Sequence, residues 1–315
     1  MLVRSFGCYT LMGAMVALAG CGATSDPPAT GSGGAGGMTT CAPGCTTSGG
    51  GTTPGGGTGN IPIPGGTGGG LLPSTGGTTG GSSGVNPETC GSNLIGIVRD
   101  FSENFPDMEI VQKNPAKQYV HDPGMVAATL GADDKPTYLG AAGGTLSTSG
   151  PEAFWHWYND SDQNQRIELE LQFKETATGS MAVDSNTDAE WQKPLGPGGF
   201  FPVDNQLFGN ESSPAHNYHF TFELHTLFLY QPGQVFTFRG DDDVWVFINK
   251  QLVVDLGGVH VAMEQSINLD ELGPALGMTP GNEYAMDFFF AERHKTQSNF
   301  RIETNFVFTD CGVVE

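Results

Sequence analysis

Apolar and polar residues alternate strictly from Arg166 to Lys174 (RIELELQFK), which puts Ile167, Leu169, Leu171 and Phe173 on one face of an extended chain. The segment from Tyr218 to Tyr230 (YHFTFELHTLFLY) begins with the same period through Phe220, Phe222 and Leu224. Val235 to Arg239, Val244 to Asn249, Leu252 to Asp255, Tyr284 to Phe290 and Phe300 to Phe308 are further β-branched and aromatic runs. Gly, Pro, Asn or Asp bounds each of them, which is the signature of strands joined by tight turns. Helical periodicity is rare, its best case being a short turn near Met125 to Leu130. Many short strands separated by turn signals predict an all-β sandwich or barrel.

This pattern occupies only residues 90–315, which are expected to form a single domain. Residues 22–88 are mostly Gly, Thr, Ser and Pro, with Asp26 and Glu88 as the only charges. Such a composition has too little apolar surface to offset the entropy of ordering, so residues 21–89 are predicted to be a disordered Gly-rich tether. Its root-mean-square reach is about 45 Å by the scaling for Gly-rich chains. Ahead of it, Arg4 and the short apolar run from Tyr9 to Leu18 predict a signal peptide over residues 1–20. The run is too short to span a bilayer as a helix. Leu18-Ala19-Gly20-Cys21 resembles the lipobox of bacterial lipoproteins. That resemblance implies cleavage before Cys21, acylation of Cys21, and a lipid-anchored protein on the outer membrane or cell surface.

The whole chain carries 34 acidic against 13 basic residues. There is no basic patch to neutralise phosphates, which disfavours nucleic acid as a partner. An acidic surface is compatible with neutral sugars and divalent cations. With Cys8 in the signal peptide and Cys21 lipidated, four cysteines remain. Cys41 and Cys45 lie close together in the tether, and Cys90 and Cys311 bracket the globular region. An oxidising compartment permits disulfides, and of three possible pairings 41–45 with 90–311 is preferred.

The segment richest in chemistry is Phe238 to His260 (FRGDDDVWVFINKQLVVDLGGVH). Asp241, Asp242 and Asp243 are consecutive carboxylates between two strands. Adjacent carboxylates repel, and calcium, which accepts carboxylates and carbonyls flexibly, is the usual reason for such clustering. The competing reading is a turn built from Asp and Gly. GDDDVWVFINKQLVVDLGGVH, with FFFAERHKTQSNFRIET at Phe288 to Thr304, VRDFSENFPDME from Val98 and HNYHFTFELHTLFLY from His216, resembles the fibro-slime domain family. Lys250-Gln251 stands where that family has Gly-Lys, a change expected to alter turn geometry only. The fibro-slime domain is in turn similar to the protective-antigen-type (PA14) β-sandwich. In fungal adhesins that domain holds calcium on two consecutive aspartates joined by a cis peptide, and the ion contacts sugar hydroxyls. The resemblance implies metal ligation by Asp241 and Asp242, or by Asp242 and Asp243. It implies further oxygens from Glu292 and Asn299 in the hairpin Ala291 to Asn299, with Arg293 and His294 placed to touch a ligand.

Asp255 and His260 are expected to fix the turn after the acidic hairpin, with a ligand role for His260 as the alternative. His219, Glu223 and His225 fall on one strand face, read here as a solvated face. Trp155 and Trp157 are candidates for stacking on sugar or for the core, at least one of them core. The sequence shows no Ser elbow, HExxH, phosphate loop or dinucleotide fingerprint. The expected function is therefore non-enzymatic: a calcium-dependent module for adhesion to an extracellular glycan or polysaccharide. A structural surface or matrix component is the second reading. A glycosidase is the third, because the separation of carboxylate pairs is not legible in sequence.

Overall fold

The computed structural model describes residue 90 and residues 92–191, 198–213 and 215–312. Cys21, the Gly-rich tether and the Cys41–Cys45 pair lie outside the described residues. In chain order the strands are β1 (Asn93–Phe101), β2 (Val120–His121), β3 (Asn164–Gln172), β4 (Lys174–Glu175), β5 (Met181–Asp184), β6 (Phe220–Leu229) and β7 (Val235–Gly240). They continue as β8 (Asp243–Ile248), β9 (Gln251–Leu256), β10 (Gly258–Val259), β11 (Met263–Asn268), β12 (Glu283–Glu292), β13 (Phe300–Thr304) and β14 (Val307–Phe308). Three single-turn helices, α1 (Ile110–Lys113), α2 (Pro151–Trp155) and α3 (Leu269–Leu272), sit in connections.

Two antiparallel sheets form the expected all-β sandwich. The larger runs β3-β1-β6-β12-β8-β9, with β14 also paired to β6. The smaller runs β11-β7-β13-β5-β4. Alternation explains which side chains meet between them: Phe220, Phe222 and Leu224 of β6, Val244, Val246 and Ile248 of β8, and Phe288 and Phe290 of β12 pack against Phe236, Phe238, Phe300 and Ile302. Phe200 stacks on Phe300 with ring centroids 4.2 Å apart.

The intervening residues of the same strands point the other way, and they are also buried. Trp245, Phe247, Phe289 and Ala291 form a second core with Phe101, Phe105, Phe154 and Trp157. The long β1–β3 connection thus covers the outer face of the larger sheet. This explains why β8 is apolar in both phases and buried along its whole length. It also bears out one expectation and corrects another. Trp157 is fully buried while Trp155 is half exposed. His219 and Glu223, expected on a solvated face, are buried beneath the cover, and only His225 is partly open.

Met125 to Leu130 is not helical. It is held extended by bridges from Val126 to Tyr138 and from Thr129 to Gln251. Between β8 and β9 the turn residues are Asn249 and Lys250, both with left-handed backbone at φ 49° and 62°, the geometry of a two-residue hairpin that preserves strand twist. Ile248 pairs with Gln251 across it. A disulfide joins Cys90 to Cys311 with Cα atoms 5.0 Å apart, closing the two ends of the described fold.

Candidate functional site

Asp241 and Asp242 form the tight connection from β7 to β8 and Asp243 opens β8, and the structure gives each a different partner. Asp241 is gripped by the facing loop. It accepts from the Asn299 backbone N–H and from Asn299 Nδ2 at 2.7 Å, and its own N–H reaches the Asn299 carbonyl at 3.3 Å. Asn299 Oδ1 in turn accepts from Asn186 Nδ2 at 3.1 Å. Asn299 is therefore the clamp on Asp241, with its side chain already engaged at both ends. Asp242 adopts left-handed backbone at φ 56° and accepts the Arg293 N–H at 2.8 Å. The one cis peptide among the described residues is Lys295–Thr296, so the Asp-Asp bonds are trans, unlike those of the adhesins the sequence resembles.

Asp243 turns inward. Its Oδ2 lies 2.5 Å from Arg293 Nε and its Oδ1 accepts the Gly258 N–H at 2.6 Å. Arg293 is fully buried, donates to the Ser147 carbonyl at 2.7 Å and lies 4.7 Å over the Trp157 ring. Two expectations fall here. Asp243 is a structural anion rather than an open ligand, and Arg293 faces the second core rather than a ligand. The physical reason is that β12 runs on through Glu292, so the period of two sends the next side chain under the cover.

Asp241, Asp242, His260 and His294 line one pocket of about 190 Å³, with Tyr119 and Val261 exposed at its rim. His260 is held by the carbonyls of Leu256 at 3.0 Å and Val261 at 2.9 Å, in keeping with its structural reading. Asp255 accepts from Trp245 Nε1 at 3.0 Å and from the Gly124 N–H at 2.7 Å, so it ties the same turn to the covering connection. His294 meets the Tyr119 hydroxyl at 2.8 Å, and burial lowers its proton affinity. Glu292 lies fully buried next to the pocket rather than in it. Its Oε1 accepts from the His294 N–H at 3.3 Å, and its Oε2 has no hydrogen-bond partner. Burial pushes the carboxyls of Asp242 and Glu292 well above the ordinary range, and repulsion from neighbouring aspartates adds to it. Asp241 is raised by burial as well. Tyr119 was not legible as a site residue, because it belongs to a stretch with no periodic pattern and only the fold brings it to His294.

Residues 202–313 match the PA14 domain family. The match spans β6 to β14, whereas β1 and β3 of the same larger sheet precede it. Protein psiC of Dictyostelium discoideum is 34% identical over 253 residues, covering 73% of this chain and 45% of that protein. Protein psiQ of the same organism is 37% identical over 210 residues, covering 61% and 20%. The chain thus spans less than half the length of either relative. Their organism lends no support to bacterial lipidation at Cys21. Among solved structures, the PA14 sugar-binding domain from RTX adhesin is 12% identical with a TM-score of 0.26, covering 69% of this chain and 96% of that one. The PA14 domain of MpAFP antifreeze protein is 12% identical with a TM-score of 0.22, covering 32% and 54%. Scores this low carry no weight beside the strand order and the sequence match. The described chain is an all-β sandwich of the PA14 type.

Proposed function

We propose that the domain is a calcium-dependent carbohydrate-binding module, displayed outside the cell and tethered through Cys21. The observation that carries this reading is the uncompensated oxygen cluster at the pocket. Asp241 and Asp242 face the opening and Glu292 adjoins them with an unpartnered buried oxygen. The nearest arginine forms its ion pair with Asp243 and only partly offsets Asp242, leaving Asp241 and Glu292 without a cation in contact among the described residues. Buried carboxylates without counter-charge are costly, and an all-oxygen donor set suits a hard cation. Asp241, Asp242 and Glu292 would hold the ion, which when bound would supply positive charge to attract sugar hydroxyls. Among the described residues no three His, Cys, Asp or Glu side chains are gathered as a ready metal shell. Binding therefore requires Asp241 and Asp242 to exchange hydrogen bonds from Asn299 and Arg293 for the ion. Exposed Tyr119 at the rim offers a flat face to a sugar ring.

Isothermal titration of calcium, followed by glycans in its presence, tests the reading. Asp241→Asn and Asp242→Asn nearly keep side-chain shape while removing charge, so calcium and sugar binding should fall together with the fold retained. A folded domain that takes up no calcium at millimolar concentration removes this function. The structural-component reading is favoured by the dense hydrogen bonding of Asp241 and Asp243. It predicts a different pattern, in which calcium raises the melting temperature and no sugar binds in any condition.

A further inference from the structure

Five residues along β12 from Glu292, about 17 Å at the rise of a strand, Asp287 opens onto a second polar groove. Two cavities of about 280 and 250 Å³ adjoin there, sharing Asp133 and Lys135. Trp155 stands in the first with half its surface exposed. Buried Tyr158 is part of the wall of the same cavity, and its hydroxyl has no hydrogen-bond partner. In the second cavity Asp287, 5% exposed, accepts from His225 Nδ1 at Oδ1 over 2.8 Å and leaves Oδ2 unpartnered. Glu223 Oε1 accepts from Lys135 Nζ at 2.6 Å. Its Oε2 lies 3.2 Å from Arg99 Nη1 in an ion pair too misaligned to be a hydrogen bond. A buried polar atom left unpaired is costly, so the Tyr158 hydroxyl and Asp287 Oδ2, beside adjoining cavities, call for an explanation.

We infer that this groove is a second carbohydrate site, in which a neutral sugar ring lies on Trp155 and hydrogen-bonds Tyr158 and Asp287. The chemistry selects this class. The unpaired Asp287 oxygen requires a donor, which a ring of hydroxyls supplies. Asp133, Glu223 and Asp287 repel an anion. An apolar ligand would leave the same atoms unpaired. A bare cation makes no use of Trp155. The aromatic face of Trp155 suits the C–H face of a pyranose, and Lys135 bridges the two cavities while neutralising Glu223. The site does not depend on calcium or on the acidic pocket.

The test is saturation-transfer NMR and tryptophan fluorescence on the full chain in excess chelator, with the methyl pyranosides of glucose, galactose and mannose as probes. At least one should bind. Trp155→Ala, a change at an exposed position, should weaken it by about tenfold or more. Tyr158→Phe should also weaken it while leaving the melting temperature unchanged or higher, because an unpaired buried hydroxyl is removed. Asp242→Asn should leave it intact. No transfer to any of the three sugars overturns the inference. So does binding indifferent to both Trp155→Ala and Tyr158→Phe, or binding abolished by Asp242→Asn, which would assign it to the acidic pocket.

Discussion

Replacing Arg293 with Met separates a structural arginine from a ligand-binding one. Methionine retains the long apolar stem and can stay against Trp157, so the packing loss is small. What disappears is the counter-charge of Asp243, which lies fully buried 2.5 Å from Arg293 Nε. Breaking a buried pair by removing one partner costs about 3–5 kcal/mol. The lost bond to the Ser147 carbonyl adds about 1 kcal/mol. The sum approaches the whole stability of a typical domain, about 5–15 kcal/mol. The stranded carboxyl escapes part of this by taking up a proton. Burial already raises Asp243, and without the arginine it rises further. A raised folded-state value means that stability is present in acid and lost as pH rises, so the defect should grow with pH. Urea unfolding at mildly acidic and mildly alkaline pH measures it. Asp243→Asn in the Arg293→Met background should recover about 2 kcal/mol or more, since it removes the unpaired charge. A loss below about 1 kcal/mol at every pH, with sugar binding abolished, would refute the burial argument and return Arg293 to the ligand.

Reduction or Cys90→Ser should destabilise the domain by up to about 5 kcal/mol in the chain-entropy model, given a sequence separation of 221; denaturant midpoints with and without reductant check it, and equal midpoints would count against a closed bond. Asp100 is buried between the Phe208 N–H and Asn217 Nδ2, and burial raises its carboxyl from 3.8 to about 6. That rise corresponds to about 3 kcal/mol of stability, present below 3.8 and lost as pH climbs through about 6. The pH profile of wild type minus Asp100→Asn should show this slope, and a flat difference rejects it. Gly240→Ala would bring a methyl within 2.4 Å of the Asn299 carbonyl, forcing apart the loops that Asp241 and Asn299 clasp. Calcium affinity should then fall severalfold with a lowered melting temperature; unchanged values on both measures would show that the loops yield without cost.

Period-two alternation located β3 and the start of β6, because a strand with one face on the sandwich core must alternate, while β-branched and aromatic runs bounded by turn residues located β7, β8, β9, β12 and β13. The aspartate run was legible for a similar local reason: three adjacent carboxylates between strands are unusual on any fold. Other elements left no such trace. β5, of four residues, and the edge strand β11 have mixed residues from which no strand was read. Met125 to Leu130 mimics a helical turn, yet it is fixed by bridges to Tyr138 and Gln251.

The division of labour at the site was decided by tertiary structure alone. Sequence could place Glu292, Arg293, His294 and Asn299 near the acidic loop. It could not say that Arg293 turns under the cover to hold Asp243, that Asn299 clamps Asp241, or that Tyr119 arrives at the rim from residues far away in the chain. It read His219 and Glu223 as solvated because alternation assigns a residue to a face without saying what lies on that face. The β1–β3 connection supplies that information, and in doing so buries charged side chains and leaves their unpaired atoms lining a groove. Local periodicity is a property of each strand and is written in its residues, whereas burial, ion pairing and pocket composition depend on which distant segment packs against it.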